Sequence, residues 1–144
     1  MKTRVFVLIP FDVPADQISE HCQRLLQPHR MQEDDPEPRG HYDYLVGALD
    51  EGFNDATTES RLPPHIQREF AGNICEATRL PPDADCGALI TADGCWHDLS
   101  DFGWRMVRQS DKENLAALAA WQRHYRALLK GHPNCWVVAI WVHS

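Results

Sequence analysis

The residues of this chain whose types and spacing could do chemistry gather in one short run, Asp93-Gly94-Cys95-Trp96-His97-Asp98, with Asp101 just beyond it and His143 at the end of a distant apolar stretch. Imidazole and carboxylate donors of this kind suit hard or borderline divalent metals. His97, Asp98 and His143 are therefore the candidate metal ligands, with Asp93 or Asp101 in support, for a small metal-assisted hydrolase. Residues two apart on a strand share a face. Cys95 and His97 should then point one way and Trp96 and Asp98 the other, which argues against His97 and Asp98 as joint ligands. The competing reading gives Asp93 to the turn, His97 and Asp98 to capping loop amides, and Trp96 to packing. A Cys–His nucleophile needs an exposed thiol of lowered pKa, and nothing in the sequence supplies either. There is no Gly-x-Ser-x-Gly elbow and no glycine-rich phosphate loop, so no catalytic residue is assigned and no cofactor is expected.

A second group could form a binding cleft. Tyr42, Tyr44 and Phe53, together with Trp96 and Trp104, offer stacking surfaces, and Asp50 and Glu51 add negative charge. Such an aromatic and acidic cleft suits a cationic or aromatic small molecule, or a basic peptide.

The elements that must position these residues follow from periodicity. Residues 4–9 are β-branched and aromatic without polar alternation, the mark of a strand covered on both faces. Ile18, Cys22, Leu25 and Leu26 repeat at helical spacing after Pro14. Residues 29–40 are acidic and proline-rich, a loop whose Glu33, Asp34, Asp35 and Glu37 could dock a basic partner. Residues 42–49 predict a second strand with Gly47 at a bulge or close approach. Residues 50–82 are the least legible: one or two helical turns over 65–70, then a piece read as extended over 72–82. Residues 86–91 and 95–99 predict a hairpin through the Asp93-Gly94 turn. Ser110 and Glu113 form a capping box for a helix running to Lys130, closed by Gly131 and Pro133. Residues 135–143 are the most emphatic strand.

This order resembles a ferredoxin-like α+β sandwich: one domain over residues 1–144, an antiparallel sheet with both helices on one face, and an inserted segment at about 50–82. The last strand then lies at a sheet edge with neither face polar, which calls for a cover: the insertion, the 95–99 arm, or a second copy. A homodimer is the preferred expectation.

Composition excludes several classes. The chain has 14 Lys+Arg against 21 Asp+Glu, a formal charge of −7, and its longest basic run, Arg123 to Arg126, lies within a helical pattern, so no nucleic-acid partner is expected. An acidic inhibitor of a basic partner protein remains an alternative on charge alone. No apolar stretch reaches the roughly 20 residues that span a bilayer, and Pro10 and Asp12 interrupt the first apolar run before a leader could form. No membrane association and a cytoplasmic location are the expectations. The five cysteines, Cys22, Cys75, Cys86, Cys95 and Cys135, lack a C-x-x-C pair and read as reduced packing thiols. A Cys86–Cys95 bridge across the turn is the alternative.

Residues 88–97, the Gly103-Trp104 pair and the closing strand ending in His143 resemble a set of small bacterial and phage accessory proteins. These carry a T-x-D-G-x-W-H segment, a Gly-Trp pair and a final strand ending in His. Tyr42, Asp43, Tyr44 and Asn73 align with further positions of that set. The resemblance implies an accessory or mobile-element gene and brings no activity with it. The set often has an acidic residue two before the final His, where this chain has Trp141, and that departure counts against a metal site there.

Overall fold

A computed structural model describes residues 1–34, 40–47, 53, 61–105 and 110–144. The first apolar run forms β1 (Lys2–Pro10), in which Val5, Phe6, Val7, Leu8 and Ile9 are all completely buried. Five consecutive buried side chains need cover on both faces of the sheet, each contributing about 1.5–3 kcal/mol on leaving water. Helix α1 (Ile18–Leu26) lays Ile18, Cys22 and Leu26 on one face beside Val5, Val7 and Ile9, as its periodicity predicts. The chain then passes through β2 (Tyr44–Gly47), α2 (Pro64–Glu69) and β3 (Ile74–Glu76). Next come the hairpin strands β4 (Ala88–Ile90) and β5 (Trp96–Asp98), the long helix α3 (Asp111–Lys130), and β6 (Cys135–His143).

The sheet runs β2-β6-β1-β4-β5, with β3 also paired to β6. Strand β1 is parallel to β4, Val5 opposite Ala88, and every other pairing between these strands is antiparallel. The fold is thus α+β, but it departs from the expected sandwich in two ways. The sheet is mixed, because the chain between β1 and β4 supplies β2 and β3 to the β6 side and β4 then lies parallel beside β1. The helices also lie on both faces: α1 and α2 cover Val5, Val7 and Ile9, while Trp121, Tyr125 and Leu129 of α3 cover Phe6 and Leu8. A strand that is apolar on both sides requires this arrangement.

A second correction concerns β6. It is an inner strand, flanked by β1 on one side and by both β2 and β3 on the other. The inserted segment thus contributes β3 as part of the cover, and the bare edge that motivated a homodimer is filled within one chain. Local expectations fare better. Gly47 has φ of 99° next to a register shift between Leu45 and Gly47, the bulge read from its position; residues 48–49 of that predicted strand lie outside the described residues. The extended reading of 72–82 holds only for Ile74–Glu76, after which Ala77–Arg79 close a 3-10 turn. Ser110 and Glu113 make the reciprocal capping box. All five cysteines are free, four buried and Cys95 exposed, so the packing-thiol reading fails at Cys95 alone. Among the described residues no helix is long and apolar enough to cross a membrane.

Candidate functional site

The hairpin β4–β5 builds the centre of the site. Thr91 N–H donates to Cys95 O and Gly94 N–H to Thr91 O, and Gly94 takes the positive φ of 87° that the tight turn demands. Asp93 serves this turn: its carboxylate accepts from the Thr91 hydroxyl and from the Cys95 amide. The strand that follows alternates as expected, with Trp96 and Asp98 on the face away from His97.

Trp96 is held from several sides. Its Nε1–H donates to Asp98 Oδ2 at 2.9 Å. His41 stacks on it almost parallel, ring centroids 4.6 Å apart and planes at 3°, and His29 lies 5.3 Å away. The loop that brings His41 there is pinned by backbone bonds from His41 N to His29 O and from Met31 N to Tyr42 O. A Cβ at Gly40 would run into the Met31 backbone, so the closeness of these two segments depends on that glycine. His29 Nε2 bonds the Gly94 carbonyl at 2.9 Å, and since a carbonyl only accepts, that nitrogen carries the proton.

Asp98 is occupied. It caps the 3-10 turn Leu99–Phe102 by accepting from Ser100 N, while its own N–H donates to Asp101 in a reciprocal box. Burial pushes the Asp98 carboxyl up, but the bonds from Ser100 and Trp96, with His41 alongside, outweigh it and hold the group below the usual carboxylate range. The capping reading thus holds for Asp98, with Asp101 as its partner in the box, and not for His97, whose Nδ1 faces His124.

Trp96 and Trp104 both line a cleft of about 410 Å³ at the end of the sheet where β1 and β4 begin and β5 and β6 end. Its walls include His41, Asp98, Leu118 of α3 and Trp141 of β6. Among the described residues the charges are mixed, with Asp85 and Asp98 set against Lys2 and Arg4. Other members of the predicted cleft lie elsewhere. Tyr42 is buried under the α1 layer and donates to Leu26 O. Phe53 is buried against Phe6 in the α3 layer. Tyr44 is exposed and stacks on His143 at 4.8 Å. Asp50 and Glu51 lie outside the described residues, as do Asp35 and Glu37 of the acidic loop, whose Glu33 and Asp34 are exposed.

The proposed metal set His97, Asp98 and His143 is not brought together. His97 and Asp98 occupy opposite faces of β5, and three strand pairings, about 14 Å, separate β5 from β6. His143 Nδ1 bonds Asp43 at 3.1 Å, and His97 Nδ1 faces His124 Nε2 at 3.4 Å. Among the described residues no three His, Cys, Asp or Glu side chains converge as a metal site. Sequence reasoning missed His41, Leu118, Trp141 and His124. For His124 the signal was present, because it lies three residues after Trp121 on the α3 stripe; for His41 it was not, since its place depends on how the 29–42 loop returns.

No known protein family, no curated protein and no solved structure matches the chain.

Proposed function

We propose that the chain is a small binding module whose ligand is a flat, largely apolar or aromatic molecule seated in the cleft between Trp96 and Trp104. The observation that carries this is that three indoles, Trp96, Trp104 and Trp141, line one concave space, Trp96 being braced by His41 and Asp98. Ligand sites are characteristically concave, mostly apolar, and furnished with a few placed polar groups. Ring faces such as these favour offset or edge-to-face contact with another π system. The balance of Lys2 and Arg4 against Asp85 and Asp98 supports a neutral aromatic ligand over a cation or basic peptide. A second chain is not required, since one copy supplies the whole cleft. The metal-assisted hydrolase reading has less support, its three residues being dispersed.

The test is an NMR titration with indole and, in parallel, its cationic relative tryptamine. The reading expects indole to perturb the Trp96 and Trp104 side-chain N–H signals and Trp104→Ala to weaken binding at least tenfold. Absence of saturable binding, or binding unchanged by Trp104→Ala, contradicts it.

A further inference from the structure

On the α3 side of the sheet, away from Trp96 and Asp98, His97 of β5 and His124 of α3 face each other. His97 lies opposite Leu89, whose side chain belongs to the α3-covered layer. Its Nδ1 is 3.4 Å from His124 Nε2, the rings are 5.4 Å apart and tilted by 50°, and both residues are half-buried. Phe102 packs on His124 at 5.1 Å and Trp121 lies 6.1 Å from it, so one side of the pair is apolar.

Two facing imidazole nitrogens can share a proton or share an ion. A hydrogen bond between them would be long at 3.4 Å, beyond the ordinary 2.7–3.2 Å of N–H donors. Two nitrogens bound tetrahedrally to one ion at about 2.0–2.1 Å stand roughly 3.3–3.4 Å apart, which is the separation observed. The other facing histidines lack this freedom. His29 Nε2 is committed to Gly94 O and His143 Nδ1 to Asp43.

We propose that His97 and His124 form a two-imidazole site for one borderline divalent transition ion of the zinc, nickel or copper class. Imidazole suits these ions, whereas magnesium and calcium prefer oxygen. No third His, Cys, Asp or Glu joins them among the described residues, so water completes the shell and the ion keeps open positions. The site bridges β5 and α3, and an ion there ties the hairpin to the long helix. Both nitrogens bind through their unprotonated lone pairs.

The test is isothermal titration of tag-free full chain with zinc chloride. One ion per chain is expected, with affinity falling at least tenfold in His97→Gln and in His124→Gln, and unchanged in His41→Gln, His143→Gln and Cys95→Ser. Circular dichroism confirms that each variant is folded, and magnesium chloride should give no heat. Histidine ring-nitrogen NMR of the wild type supplies a readout that does not depend on any variant: zinc should move His97 Nδ1 and His124 Nε2 together. No zinc uptake by the wild type, binding that survives both glutamine variants, or loss in Cys95→Ser overturns the proposal.

Discussion

His41 shows how one side chain can report on the site it covers. Burial holds its imidazole below the ordinary histidine range, with His29 adding to this and Asp98 and Asp101 opposing it. The unfolded chain therefore takes up this proton first as pH falls through about 6.5. Stability should be intact above that pH and decline below it. His21, lowered by burial and by Arg24, adds a separate share of the same slope. Urea midpoints measured between pH 7.5 and 5.5 should fall less steeply in His41→Gln than in wild type; parallel slopes contradict the assignment. The thiols give a second residue-level expectation. Burial pushes Cys22 and Cys75 up to about 12, and Cys86 and Cys135 upward as well. Cys95 is exposed, although the Asp93 carboxylate raises it. An aromatic disulfide reagent should titrate a single thiol in the native protein, slowly at neutral pH, and all five after unfolding. At this scale the sequence was half legible. Alternation along β5 separated His97 from Asp98, because strand geometry is local, but the stack of His41 on Trp96 joins segments whose approach no periodicity encodes.

Elements with their own stop and start signals were read with sharp bounds, and those that depend on tertiary pairing only loosely. The Ser110–Glu113 box is written in four residues and forms as written. Ser110→Ala should cost about 1 kcal/mol, read as a lowered urea midpoint with the slope unchanged. The hairpin turn at Gly94 is likewise local. Strand β3, by contrast, has three residues and is extended because Ile74 to Glu76 lie along β6; its composition alone suits a short helix equally well. Gly40 belongs to the same class, its role visible only once Met31 lies against it. Gly40→Ala should push the two arms of the 29–42 loop apart and unstack His41 from Trp96. Trp96 fluorescence should then shift to longer wavelength, while far-UV circular dichroism stays close to wild type.

For the whole molecule, the decisive feature is that β1 and β6 are apolar on both faces. Taken strand by strand, that pattern pointed to burial on both sides; taken with an antiparallel plan, it left β6 at an edge in need of a partner. Layers of helix on each face and β2 and β3 alongside β6 satisfy both demands within one chain. Trp121 illustrates what the α3 layer contributes. It is fully buried, and its Nε1–H donates to Cys86 O at 2.7 Å, so the helix is tied to the start of β4. Trp121→Ala should destabilise the fold by about 3–5 kcal/mol, enough to leave much of the protein unfolded in moderate urea. The same layering leaves the sheet open at the end where β1 and β4 begin and β5 and β6 end, and there Trp96, Trp104 and Trp141 line one cleft. The most direct test of a binding role for that cleft is the set of five tryptophan side-chain N–H signals during titration with indole. Saturable shifts centred on Trp96, Trp104 and Trp141, with Trp121 and Trp136 unmoved, are predicted; no shift, or shifts spread evenly over all five, would contradict it.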